Sequence, residues 1–119
     1  MDAKKAQAAF TALAQSTRLK AFRKLIAAHP DGLSAGEIAQ ACKVPHNTMS
    51  THLAALTRAG LIAVARAGRN MNYRADIAGF HALIGFLTDD CCNGRPEICA
   101  PLVDELAAAG CAPAHKAAS

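Results

Sequence analysis

The sequence predicts a mostly helical fold with one short β-hairpin, and a change of apolar spacing supports this prediction. Up to residue 59, apolar residues recur every three or four positions, as they do on one face of an α-helix. After Gly60 the pattern becomes that of two short strands joined by a turn at residues 67–70. The 119 residues provide enough chain for one domain with a single core.

Two amphipathic helices are expected at the start of the chain. The first covers about residues 4–14, and the second continues to residue 28 with Ser16 or Thr17 as its cap. Proline and glycine within residues 29–32 end the second helix, because neither residue continues a helix well.

The next two helices are short, and a tight turn at residues 43–46 joins them. Ser34 and Glu37 form a Ser-x-x-Glu capping box, which predicts a helix that ends near Cys42. A fourth helix is expected over residues 47–59, and Gly60 ends it.

A fifth helix and a cysteine-containing tail follow the hairpin. Asp76 is the expected cap of the helix, which should end near Thr88. A turn-rich segment and a last short helix over residues 102–109 come after it. Lys and Arg are concentrated before residue 75, whereas Asp and Glu are frequent in the last third of the chain. We therefore predict a body of residues 1–90 and a tail of residues 91–119.

The predicted order, α-α-α-α-β-β-α, is that of a winged helix-turn-helix, a fold that reads duplex DNA. In that fold the second helix of the pair enters the major groove, and the hairpin, or wing, reaches the neighbouring backbone or minor groove. Met49, Leu53 and Leu56 should face the core. The opposite surface is polar and almost free of acidic residues. The candidate DNA contacts on this helix are His46, Asn47, Thr48, Ser50, Thr51 and Arg58.

The predicted hairpin adds arginines to this surface. Arg66 and Arg69 have no acidic neighbour in the hairpin, and Arg69, at the turn, is the better candidate for a phosphate or minor-groove contact. His52 lies beside the core stripe, so a structural role is expected for it. An ordinary solvated surface remains the alternative interpretation of each of these features.

Bulk composition limits the possible functions. The net charge of +4 permits a polyanionic partner without requiring one. The sequence shows no signal peptide and no apolar stretch of membrane-spanning length, so a cytoplasmic protein with reduced thiols is expected. Five cysteines, two of them adjacent, fit metal or redox chemistry better than a disulfide framework.

Residues 13–74 resemble the ArsR/SmtB family of metalloregulatory repressors. The resemblance lies in three segments, LAQSTRL at 13–19, MSTHLAALTRAGLI at 49–62 and GRNMNYR at 68–74. It implies a homodimer that pairs through its first and last long helices and leaves its operator DNA when an inducer binds. The family's DNA contacts match His46, Asn47, Ser50 and Thr51, although residues 45–47 depart from the Ser-Gln-Pro-like start of many members.

The inducer sites of two family branches are missing from this sequence. Where arsenic-sensing members have a Cys-x-Cys cluster, this chain has Ser34, Gly36 and Ala39. Where zinc-sensing members have an Asp/His set, it has Asp76 and His81, which lie five positions apart and therefore on different faces of a helix.

Cys91, Cys92 and Cys99 are the remaining candidate ligands. Thiolates select soft ions, and trivalent arsenic prefers three sulfur ligands. Arsenite is therefore the expected inducer, and antimonite or organoarsenicals could act in the same way. The alternatives are a cadmium, zinc or lead site that includes Cys111, a thiol redox switch, or no role. Cys42 is expected to be an ordinary buried thiol.

Two other classes of function compete with DNA binding. A cysteine-dependent enzyme would need an activated thiol in a phosphate-binding loop or a thioredoxin-like setting, and neither pattern occurs, so no enzyme activity is expected. A protein-interaction module stays open, and salt-dependent binding to duplex DNA would distinguish it from a DNA-binding protein.

Overall fold

The structure is a computed structural model that describes residues 1–92 together with residues 101, 104 and 105, with no description of side chains for residues 89–92. The chain divides into two compact units, Met1–Leu83 and Ile84–Ser119. The boundary at residue 90 that was expected from composition stays a prediction. None of the described helices has the length and apolar character needed to cross a membrane.

The element order confirms a winged helix-turn-helix. The five helices predicted for residues 1–90 and both hairpin strands are present, with one additional short strand. In chain order the elements are α1 (Ala3–Leu13), α2 (Ser16–Ala27), β1 (Leu33–Ser34), α3 (Ala35–Cys42), α4 (His46–Arg58), β2 (Ile62–Ala67), β3 (Asn70–Ala75) and α5 (Ile77–Cys92).

The additional strand makes the predicted hairpin part of a three-stranded antiparallel sheet. The strand order is β1-β3-β2. Leu33 pairs with Tyr73 and Ser34 pairs with Asn72, whereas β2 pairs with β3 along its whole length, from Ile62 to Ala67. A strand of two residues is too short to produce a periodic pattern, so the sequence contains no signal for β1.

The ends of α3 and α4 follow the predicted local chemistry. The Ser34 hydroxyl accepts a hydrogen bond from the Glu37 N–H at 3.1 Å, and the Glu37 carboxylate accepts one from the Ser34 N–H at 2.8 Å. At the end of α4, Gly60 adopts a φ of +79°. Its N–H and that of Leu61 donate to carbonyls in the last turn of α4, which is the hydrogen-bond pattern of a Schellman motif.

The cap of α2 differs from the prediction. Gln15, rather than Ser16 or Thr17, occupies the N-cap position, and its side-chain oxygen accepts from the Arg18 N–H at 2.8 Å. Ser16 and Thr17 already belong to the helix. The reason is that α1 ends at Leu13, which leaves only one extended residue between the cap of α1 and the start of α2.

Small residues allow the helices of the first unit to pack closely. The buried face of α1 consists of Ala6, Ala9 and Ala12. On α2, Phe22 is buried, and its ring centroid lies 5.8 Å from that of Phe80 on α5. The core is completed by large side chains from α2, α3, α4, α5, β2 and the residue just before β2, namely Leu25, Ile38, Met49, Leu53, Leu56, Leu61, Ile62 and Leu83.

Three large apolar residues that stand at helical spacing in α1 and α2 lie at the surface. Phe10 is 41% exposed, Leu19 45% and Ile26 36%. The apolar stripes of α1 and α2 are therefore wider than the faces that the fold of one chain covers, because alanine already fills the contact side of α1.

Helix α5 is longer than predicted. Asp76 caps it as expected, since its carboxylate accepts from the Gly79 N–H at 2.9 Å. The helix continues past Thr88 to Cys92, so Cys91 and Cys92 are its last two residues and not part of a turn. The extension has a simple cause, because no glycine or proline occurs between Thr88 and Cys92 to break the helix. Within the predicted last helix, Asp104 and Glu105 are helical.

Candidate nucleic-acid interface

Helix α4 has the two faces that its sequence predicts. Met49, Leu53 and Leu56 are fully buried, which confirms the predicted inner stripe. Ser50 is half-buried at the border between the faces. The other predicted DNA contacts of this helix are exposed to solvent, namely His46, Asn47, Thr48, Thr51 and Arg58.

The first turn of α4 has little side-chain capping. Pro45 occupies the N-cap position, with φ −62° and ψ 149°, and makes no side-chain hydrogen bond to the helix. The Asn47 side-chain oxygen accepts from the Thr48 N–H at 2.9 Å, which is a local contact within the turn. The start of α4 therefore presents backbone N–H groups and short polar side chains at the surface, where a positive helix end favours an anion.

His52 has a structural role, as its position beside the core stripe indicated. It is half-buried, and its Nδ1 accepts from the Arg18 Nε at 3.3 Å. The same guanidinium donates from Nη1 to the Ala12 carbonyl at 3.4 Å. Arg18 thus joins α4 to the ends of α1 and α2. The sequence contained no signal for this partnership, because 34 residues separate Arg18 from His52.

The wing carries its arginines at the surface. Gly68 and Arg69 form the connection between β2 and β3, and Gly68 adopts a φ of +65°. Glycine is favoured in this position because two-residue hairpin loops need a positive φ there. Arg66 and Arg69 are both exposed.

The structure brings part of the predicted site together around one cleft between the helix-turn-helix and the wing. The cleft has a volume of about 410 Å³. Three predicted contacts, His46, Ser50 and Arg69, line it. Asn47, Thr48, Thr51, Arg58 and Arg66 do not. The remaining lining residues are Ser34, Ala35, Gly36, Asn70, Met71 and Tyr73.

The chemistry of the cleft suits an anion. An arginine and a histidine face it, together with hydroxyl and amide groups, and no carboxylate is among its lining residues. Sequence reasoning did not include Asn70, Tyr73 or the start of α3 in the site. Their participation depends on how the wing folds back beside α3, which no local pattern encodes.

The cysteine side chains of the predicted thiolate site are not among those that the structure describes. Cys42 is buried at the end of α3, as expected for a core thiol. Among the described residues, no three His, Cys, Asp or Glu side chains form a group that could hold a metal ion. Cys91 and Cys92 are described only as the last backbone residues of α5, and Cys99 and Cys111 lie outside the described residues. The assignment of this site stays a prediction.

Comparison with known proteins supports the architecture. Residues 13–65 match a family model described as a helix-turn-helix domain. No curated protein sequence matches the chain. Among solved structures, an ArsR-like transcriptional regulator from Rhodococcus sp. RHA1 is 27% identical, with a TM-score of 0.61 over 88% of this chain and 89% of that protein.

Two further solved structures have a similar fold. One is the homodimeric winged helix-turn-helix DNA-binding domain of a possible ArsR-family transcriptional regulator from Mycobacterium bovis. It is 28% identical, with a TM-score of 0.57 over 73% of this chain and 81% of that one. The other is a possible transcriptional regulator for arsenical resistance, 26% identical, with a TM-score of 0.57 over 65% of this chain and 77% of that one. The chain therefore contains a helix-turn-helix domain and has the winged helix-turn-helix fold of solved ArsR-like transcriptional regulators.

Proposed function

We propose that this protein is a DNA-binding transcriptional repressor that acts as a homodimer and leaves its operator when trivalent arsenic binds. The observation that carries the DNA-binding part is the cleft in which His46 and Ser50 of α4 meet Arg69 of the wing. A cationic, acid-free cleft next to an exposed polar helix fits a phosphate backbone beside a groove.

In this proposal α4 lies in the major groove. Its exposed side chains are short, so the helix can approach the base edges closely. Asn47 suits adenine, with which an amide forms two hydrogen bonds, and Thr51 suits a base or a phosphate. His46 and Arg69 hold the backbone on either side of the cleft, which sets the position of the helix along the duplex.

A second copy of the chain is part of the proposal. The Mycobacterium bovis structure is described as homodimeric, and dimers of this fold place two reading helices about one duplex turn apart. Phe10 on α1, and separately Ile84 and Leu87 on α5, are large apolar residues that are 37–41% exposed in the single chain. Burial of these residues against a second copy would remove apolar surface from water.

Titration of a fluorescent duplex, followed by anisotropy, tests the DNA-binding part. A duplex of about 30 base pairs accommodates two half-sites one helical turn apart. We expect the native chain to bind with an affinity that falls steeply as salt rises, since Lys and Arg replace counterions on phosphates. The Asn47→Ala/Arg69→Ala double variant should bind more weakly and show a shallower salt dependence.

A matched control removes the same kinds of group elsewhere. Gln40 on α3 and Lys24 on α2 are both exposed, so the Gln40→Ala/Lys24→Ala variant has the same change in net charge as the test variant. It should bind almost as the native chain does. Equal weakening by both variants would mean that only overall charge matters, and the assignment of the interface would be wrong.

The proposed inducer site consists of Cys91, Cys92 and Cys99. Three thiolates satisfy trivalent arsenic, and one similar structure is described as a possible regulator for arsenical resistance. Because Cys91 and Cys92 are the last residues of α5, a ligand that draws Cys99 to them would act on the end of that helix. A shift there would alter the separation of the two α4 helices if α5 forms part of the dimer. A preference of a few kcal/mol for the mismatched state is enough to release DNA.

Arsenite titration of the DNA complex tests this site. We expect arsenite to lower the bound fraction of duplex for the native chain. Serine variants of Cys91, Cys92 or Cys99 should bind DNA normally and resist release. Cys42→Ala, which changes a buried thiol, is the control and should still respond. Normal release from all three serine variants would show that the site is wrongly assigned.

The same titration separates the alternative inducers. Release by cadmium, zinc or lead but not by arsenite, together with loss of the response in Cys111→Ser, would indicate a four-thiolate metal site. Release by a mild oxidant, reversed by a thiol reductant, would indicate a redox switch.

A further inference from the structure

We propose that Asn72 is a positioning residue that holds the wing against the helix-turn-helix, so that Arg69 stays across the cleft from His46. This inference rests on the proposed DNA-binding function and adds a residue that does not line the cleft itself.

The outer part of the wing has little packing of its own. Beyond Ile62, every residue of β2 is exposed, and β3 has its only buried residue, Ala75, at the far end from the turn. A two-stranded hairpin without a packed face is marginally stable in water. The direction in which the wing tip points therefore depends on how the middle of the hairpin is held.

A very short segment pairs with the middle of β3 from one side. Strand β1 offers only Leu33 and Ser34 for pairing with β3. Asn72 adds a further link, because its side-chain Nδ2 donates to the carbonyl of Asp31 at 2.9 Å. This hydrogen bond joins the wing to the loop after α2 across 41 residues of sequence.

The loop lies so close to β3 that it has no room for a side chain. Gly32 adopts a φ of +80°, and a Cβ placed on it would lie 2.5 Å from the Tyr73 carbonyl oxygen and 2.6 Å from the Asn72 Oδ1. Asn72 thus bonds to this loop through its side chain. It also pairs with Ser34 in β1, the strand that directly follows the loop.

Ser34 connects this contact to the reading helix. It pairs with Asn72 and is also the N-cap of α3, which leads through a tight turn to His46 at the start of α4. At the other end, Asn72 is only three positions from Arg69 along the hairpin. Residues 31–34 therefore link the two sides of the cleft, and Asn72 is the side chain that bonds the wing to them.

A double-mutant cycle on binding of the same fluorescent duplex of about 30 base pairs tests the proposal. In the native background, Arg69→Ala should weaken binding about tenfold, as expected for loss of an arginine contact. In the Asn72→Ala background, the same change should cost about twofold or less, because a displaced Arg69 contributes little. Thr51→Ala on α4 should have the same effect in both backgrounds.

The control variant is Val64→Ala on β2, which lowers strand propensity at an exposed position but leaves the bond from Asn72 to Asp31 in place. Arg69→Ala should keep its full effect in that background. An equal effect of Arg69→Ala in the native and Asn72→Ala backgrounds would overturn the proposal. If Asn72→Ala does not fold, Asn72→Ser removes the same amide donor and replaces it in the cycle.

A measurement without DNA separates this proposal from the proposed function. In Asn72→Ala, the backbone order parameters of residues 66–71 from NMR relaxation should fall from about 0.85 towards 0.6, while those of α4 stay unchanged. Unchanged order in the wing would reject the role of Asn72 even if the native chain binds DNA well. Loss of order in a chain that binds no duplex would support the wing contact and reject the proposed function.

Discussion

Helices α3 and α4 lie next to each other in the chain, and they begin in opposite ways. A reciprocal capping box of Ser34 and Glu37 closes the start of α3. Helix α4 starts after Pro45, which has no side-chain hydrogen bond to the helix. On their inner sides the two helices are alike, because Ile38 and Leu53 are both fully buried.

The difference determines which of the two helix starts can bind an external anion. A capped helix satisfies its own first N–H groups, so α3 needs no external partner at that end. An open helix start leaves N–H groups for an anion, at the place where a phosphate would approach in the proposed complex. The stability of α4 must then come from packing of its inner face rather than from its cap.

The largest expected effect tests whether packing holds both helices equally. Leu53→Ala and Ile38→Ala should each lower the free energy of unfolding by about 2–5 kcal/mol, because each leaves a cavity in the core. Urea denaturation followed by circular dichroism measures both. Gln40→Ala, on the exposed side of α3, should change the free energy of unfolding by no more than about 0.5 kcal/mol. If Leu53→Ala lowered the free energy of unfolding much less than Ile38→Ala, packing would not stabilise the two helices equally.

A smaller effect should come from closing the open end of α4. In Pro45→Asp the carboxylate can cap the helix and face its positive end, which offsets the lost rigidity of proline, so stability should change by less than about 1 kcal/mol. Affinity for duplex DNA should fall about tenfold, because a carboxylate then faces the phosphate backbone. Anisotropy and urea denaturation on the same sample report both quantities. Unchanged affinity would mean that no phosphate approaches this end of α4.

The smallest effect concerns the capped end. Ser34→Ala should lower the free energy of unfolding by about 1 kcal/mol through loss of the cap. Duplex affinity, measured well below the unfolding midpoint, should change little if the hydroxyl serves α3 alone. A large loss of affinity with little loss of stability would instead place the Ser34 hydroxyl, which borders the cleft, in direct contact with DNA.

Features that depend on neighbouring residues were predictable from the sequence. The capping box at Ser34, the glycine that ends α4 and the buried stripe of that helix all follow from spacings of a few residues. The same holds for the two-residue wing turn at Gly68 and for the cap at Asp76. Each rests on a hydrogen bond or a steric preference that acts within one turn of chain.

Features that depend on distant partners were not predictable. Strand β1 exists only because β3, some forty residues later, offers it a pairing edge. The exposure of Phe10 and Leu19 depends on which sides of α1 and α2 the other helices cover, and periodicity alone does not choose between those sides. The candidate site shows the same division. His46, Ser50 and Arg69 were predicted one by one, and only the fold places them around one cleft.

The type, order and approximate ends of the helices and of the hairpin, together with the side of α4 that faces the core, follow from local sequence patterns. Those properties follow from backbone hydrogen bonding and from apolar periodicity, which act over short stretches of chain. The hydrogen bonds from Asn72 to Asp31 and from Arg18 to His52, and the cleft between the wing and α4, exist only in the folded chain. Such contacts join residues that are far apart in the chain, and they form only after the core has packed and brought those residues within hydrogen-bond distance.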